Sequence, residues 1–179
     1  MKELVNRSLH KTNNDLLQRS AASGLKFGMG ATVAALGVND SRYFGLWVGD
    51  SRIYRLRSNR LTQLTRDHRY VQGLVDSGAL NAQAARDHRQ RNILTRAVGL
   101  EPDLAIDECE GAIAGDDVFL LTTDGVTDVC SDDEIAGFLR CPDLGDAAGQ
   151  FVEQCNARGS PDNLSVVLVR VTNRAHRPL

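Results

Sequence analysis

The sequence is poor in the features that mark several large classes of protein. Its 21 Lys and Arg are nearly balanced by 23 Asp and Glu, for a formal net charge of -2. The basic residues form no run, and with aromatics at only 5% they have no stacking partners among them, so no grip on nucleic acid is built in. No apolar run approaches the ~20 residues of a membrane span. The opening MKELVNRSLHKTNND lacks the apolar core of a secretion signal. The four cysteines, Cys109, Cys130, Cys141 and Cys155, include no C-x-x-C pair, and no histidine stands at a spacing that completes a zinc site. They fit reduced thiols of a cytosolic protein. Repeats, low-complexity tracts and linkers are absent too. These absences predict one cytoplasmic domain over residues 1–179, with no nucleic-acid or membrane partner.

What is present alternates between the two hydrophobic periods. Residues 3–23 predict a weakly amphipathic helix with Leu4, Val5, Leu9, Leu16 and Leu17 as its apolar positions, broken by Gly24, Gly28 and Gly30. Strands are predicted over 31–38 and 43–48, a hairpin over 52–57 and 61–64 turning at Ser58-Asn59, and short helices over 71–78 and 82–88, the second capped by Asn81. Further strands are expected at 105–109 and 118–122. Ser131 and Glu134 form a capping box that opens a helix to Arg140, and 146–158 is a helix closed by Gly159. The run 165–171 is almost all Val and Leu and predicts a central strand. The order of elements is that of an α+β fold with mostly antiparallel pairing.

Three apolar strands each carry an aspartate at one end beside a small or polar residue. Leu46-Trp47-Val48-Gly49 leads into Asp50-Ser51, 119–123 leads into Asp124-Gly125, and Asp162-Asn163 precedes 164–171. A carboxylate at the rim of an apolar core is costly to desolvate unless a cation or donors neutralise it. Three such strand ends brought together would form an all-oxygen site for a hard divalent ion such as Mg²⁺ or Mn²⁺. A single Asp-Gly would otherwise be an ordinary strand-ending turn. Arg52, Arg66 and Arg96 are expected to pair with neighbouring aspartates, Trp47 to lie in the core, and His68 to be an ordinary partly buried residue.

Six stretches resemble, in order, the motifs of one family. GMGATVAAL (28–36), VGDSRIY (48–54), LTRDH (64–68), NILTRAVG (92–99), DDVFLLTTDGVTD (116–128) and PDNLSVVLV (161–169) are similar to segments of the metal-dependent protein Ser/Thr phosphatases of the PPM or type 2C family, and most of all to its bacterial members. The resemblance implies two stacked antiparallel sheets flanked by helices, and a flap subdomain over 71–91. Asp124 and Asp162 would be the catalytic carboxylates, holding two Mg²⁺ or Mn²⁺ ions. Asp50 would join them at a third, weaker ion, with Asn92 as a further ligand. Gly125, Ser51 and Asn163 would stand behind the ligands or beside the flap. Asp128 would do the same or simply cap its loop, and the loop role is favoured.

The family's opening motifs, among them D-G-x-G-G, have no counterpart before Gly28, so the chain is expected to correspond to the C-terminal two-thirds of such a domain. The resemblance implies hydrolysis of phosphoserine and phosphothreonine by a metal-activated water. Phosphoproteins and the Ser/Thr kinase that makes them would be the partners, and exposed sheet edges would invite dimerisation. The alternative function is a truncated, non-catalytic pseudophosphatase that binds phosphoproteins or another partner.

Overall fold

A computed structural model describes residues 1–24, 28–39 and 41–172. The elements run α1 (Lys2–Ser23), β1 (Val33–Val38), β2 (Arg42–Val48), β3 (Arg52–Arg57), β4 (Arg60–Gln63), α2 (Tyr70–Asp76), α3 (Ala82–Arg86), β5 (Asp107–Ala112), β6 (Val118–Thr122), α4 (Asp124–Thr127), α5 (Asp132–Leu139), α6 (Leu144–Ala157) and β7 (Val166–Arg170). The architecture is α+β, with two antiparallel sheets and flanking helices. One sheet has the order β1-β2-β5, the other β4-β3-β6-β7. The chain divides into two compact units, one of residues 1–37, 44–51 and 65–109, the other of residues 38–43, 52–64 and 110–179.

The second unit is built on the four-stranded sheet. Ser58 and Asn59 both take positive φ, 47° and 67°, and turn β3 tightly back into β4. Tyr54 and Leu120, both fully buried, face Ile135 and Phe151 of α5 and α6 in a single apolar cluster. α5 starts at the expected capping box, in which the Ser131 hydroxyl receives the Glu134 N–H and the Glu134 carboxylate receives the Ser131 N–H. α6 begins two residues before the predicted start, because Asp143 accepts the Asp146 N–H and caps it there. All four cysteines are free. Cys130 and Cys155 lie with their sulfurs 3.9 Å apart inside the cluster, where burial pushes the Cys130 thiol up to about 12.

β7 departs from expectation. Among the described residues it ends the order β4-β3-β6-β7 and pairs only with β6, and its Val167 is 55% exposed. Its Val-rich composition reports strand propensity, but position in a sheet depends on long-range pairing that composition does not carry.

The first unit holds its own cluster, Val48, Val98 and Leu104, against which Leu9 and Leu16 of α1 pack. Of the apolar stripe predicted for α1, Val5, Leu9, Leu16 and Leu17 are partly buried and Leu4 is 60% exposed. The residue the helix buries is Asn13, at 1% exposure. Its Nδ2 donates to the Glu101 and Pro102 carbonyls at 2.8 and 3.4 Å, and its Oδ1 accepts the Gly99 N–H at 2.7 Å. Gly99 has φ 92°, and a Cβ there would stand 2.4 Å from the Met29 carbonyl oxygen, so only glycine lets this turn close. Asn13 is thus a polar clamp between α1 and the 99–102 turn. Asn13→Ala strands the buried Gly99 N–H, and is expected to cost about 1–3 kcal/mol in a urea unfolding curve.

Candidate functional site

Asp124 stands where β6 ends and α4 begins. Register decides what lies beside it. Thr122 is opposite Arg52 of β3 on one side and Val166 of β7 on the other, so the exit of β6 and the entry of β7 share one end of the sheet. Beyond the last ladder pair, side chains continue the join. Ser165 N–H donates to Thr123 Oγ1 at 2.9 Å, Thr122 Oγ1 donates to the Ser165 carbonyl at 2.9 Å, and Ser160 Oγ donates to the Gly125 carbonyl at 2.7 Å. The Asn163 N–H donates to Asp162 Oδ1 at 2.7 Å.

Gly125 lets the two loops touch. A Cβ on it would lie 2.5 Å from the Asn163 carbonyl oxygen and 3.2 Å from that of Asp162, and both obstacles are backbone. The structure thereby brings together Asp124, Gly125, Asp162 and Asn163. Asp124 is half-buried, while Asp162 and Asn163 are exposed. Asp128 is exposed at the C-cap of α4, where its N–H donates to the Asp124 carbonyl at 2.9 Å and so closes the turn that carries the carboxylate. Gly125→Ala is expected to push the 162–163 loop off this turn and to lower stability by about 1–3 kcal/mol, measurable by urea unfolding.

Asp50, Ser51 and Asn92 belong to the other unit. Asn92 is exposed on the turn that precedes Leu94. Ser51 is buried and shares a 2.8 Å hydrogen bond with Thr32 Oγ1. Asp50 is buried, and Arg69 Nε donates to its Oδ2 at 2.6 Å. Arg66 pairs with Asp76 and Arg96 with Asp107. Arg52 donates to the Tyr54 hydroxyl at 2.9 Å. Arg69 escaped sequence reasoning. Its only signal is that a cation follows the LTRDH motif directly.

His68 is more buried than expected, at 5% exposure, stacked on the buried Trp47 at 6.3 Å between ring centroids. Its Nδ1 accepts the Gly49 N–H at 3.0 Å, so the proton of the neutral ring sits on Nε2, which faces Asp107 Oδ2 at 3.2 Å. Arg66, His68, Arg69, Tyr70, Arg96 and Asp107 help line a cavity of about 370 Å³ in this unit. Burial lowers the pKa of His68 despite the opposing pull of Asp107. The unfolded chain therefore binds more protons below its ordinary value of 6.5, and the stability His68 confers is full above that pH and falls away as pH drops beneath it. The urea midpoint is expected to rise from pH 5 to pH 7 and then level off. His68→Asn, whose amide oxygen can still accept from Gly49, should flatten the rise.

No protein-family model matches the chain. It is 38% identical over 149 residues to the serine/threonine protein phosphatase PstP of Mycobacterium tuberculosis, a match that covers 82% of the chain and 28% of PstP. It is 36% identical over 143 residues to the serine/threonine phosphatase Stp of Listeria welshimeri, covering 79% of the chain and 57% of that protein. The chain thus spans little more than a quarter of one curated relative and just over half of the other. Among solved structures, a crystal structure of PstP superposes with a TM-score of 0.84 at 31% identity, covering 90% of the chain and 68% of PstP as crystallised. The catalytic domain of PstP in complex with two manganese ions superposes with a TM-score of 0.79 at 30% identity, over 89% of the chain and 66% of that domain.

Proposed function

The chain belongs to the PPM family of serine/threonine phosphatases, and from that premise we propose that the protein is a metal-dependent enzyme that hydrolyses phosphoserine and phosphothreonine in other proteins. Its substrates on this proposal are the products of a Ser/Thr kinase. The observation that carries it is the junction of Asp124-Gly125 with Asp162-Asn163 at one end of the β3-β6-β7 sheet.

The donors at that junction suit the ions found with PstP. Carboxylate oxygens are hard ligands of the kind Mg²⁺ and Mn²⁺ prefer, and small neighbours leave room for water in the coordination shell. Among the described residues no group of three or more His, Cys, Asp or Glu side chains could hold a metal ion, and on this proposal Asp124 and Asp162 supply part of a donor set. Asp124 and Asp162 would hold the ions, which when bound lower the pKa of a coordinated water and offset the charge of the phosphoryl oxygens. The rest is positioning by the chain. The N–H of Asp128 fixes the carbonyl of Asp124, the hydroxyls of Thr122, Thr123 and Ser160 tie its loop to the 160–165 loop, and the missing side chain of Gly125 permits the approach.

The test is release of phosphate from a phosphothreonine peptide in the presence of Mn²⁺. Release should stop with EDTA. Because losing a mere outer-shell partner of a metal site costs ~10–100-fold, Asp124→Asn should lower the rate by more than about a hundredfold. Undiminished release by that variant, or release indifferent to EDTA, would falsify the assignment.

A further inference from the structure

Asp50 already has a cation. Arg69 Nε donates to Asp50 Oδ2 at 2.6 Å, and the two side chains are only 7% and 9% exposed. Buried carboxylates persist when a partner neutralises them, and this one is neutralised from within the protein. The backbone fixes the pair at both ends. Gly49, with φ 103°, packs so closely on Thr32 that a Cβ would lie 2.4 Å from Thr32 Cγ2. Its N–H donates to His68 Nδ1 at 3.0 Å, and its carbonyl accepts the His68 N–H at 3.0 Å. Arg69 itself bridges to Leu94, and the Tyr70 N–H donates to the Ile93 carbonyl at 2.8 Å. The guanidinium is thus delivered by held backbone on both sides of the bond rather than by a loose surface side chain.

We propose that Arg69 is the resident counter-cation of Asp50 and keeps divalent ions off this carboxylate, which makes Asp50 a positioning residue and not a metal ligand in this protein. The proposal rests on the phosphatase assignment only for the class of ion, Mg²⁺ or Mn²⁺. An ion at Asp50 would either sit beside a guanidinium that stays charged at any working pH, or displace it from its buried carboxylate. Both are unfavourable at a carboxylate shielded from water. The three-carboxylate set expected from the family then becomes two, Asp124 and Asp162.

The experiment is a Mn²⁺ titration of the whole protein, with free ion counted by electron paramagnetic resonance. The wild type is compared with the double variant Asp50→Asn/Arg69→Gln, which preserves shape and a hydrogen bond without either charge, and with Arg69→Gln alone. Wild type and double variant should bind the same number of ions, and Arg69→Gln one more than the wild type. Loss of one ion in the double variant overturns the proposal, as does an Arg69→Gln protein that folds but gains none. Should Arg69→Gln fail to fold, seen by circular dichroism with and without Mn²⁺, the comparison of wild type with double variant decides alone. Asp124→Asn in the same titration separates the two assignments. An unchanged ion count there removes the phosphatase site and leaves the reading of Asp50 intact.

Discussion

The register that sets Thr122 opposite both Arg52 and Val166 is the constraint on which the candidate site depends. Side chains in a strand alternate faces, so a slip of one residue would turn Tyr54, Leu120 and Leu168 out of their cluster. The buried face therefore locks the ladder, and the ladder determines which residues emerge together at its end. Asp124 follows Thr122 by two residues and Asp162 precedes Val166 by four. Core packing positions these carboxylates, although neither belongs to the core.

The protein treats its other aspartates differently. Asp117 is fully buried and receives both Arg57 Nε and Nη2, at 2.7 and 2.6 Å, with the Ala114 N–H at 2.9 Å. Burial pushes its pKa up, but these donors outweigh burial and hold it below the usual carboxylate range. Asp107 shows the same contest, with Arg96 and His68 prevailing over burial. Bidentate arginine is well matched to such sites, because its planar fork satisfies both carboxylate oxygens at once.

Much of this was written in local sequence. The β3-β4 hairpin, the Ser131 capping box, the Asn81 cap and the span of β6 are short-range features, and each occurs where residue type and spacing put it. Motif order pointed to the family and hence to the fold. What could not be seen locally is long-range. The edge position of β7 depends on which strand pairs with which. The burial of Asn13 depends on a turn 86 residues away. The Asp50–Arg69 bond joins positions 19 apart, and an arginine beside a motif looks the same in a sequence whether it reaches solvent or a buried carboxylate. Asp124 at a strand end was visible. Its place as the first residue of a short helix was not, because Asp-Gly is equally the signature of a turn.

The chemical meaning of an aspartate in this protein is therefore decided by its neighbour rather than by its motif. Asp50 and Asp117 are enclosed with an arginine that satisfies their charge, and such a carboxylate gains little from another cation and loses a bond by accepting one. Asp124 is half-buried and Asp162 exposed, and their loops are joined through backbone, hydroxyls and a glycine. A solvated carboxylate can exchange its water for a metal ion at small desolvation cost, whereas a buried ion pair cannot. The distinction follows from burial and hydrogen bonding alone. It separates a buried aspartate paired with arginine at Asp50 from the more accessible aspartates at the β6-β7 end of the sheet, though all three strand ends carry the same residue.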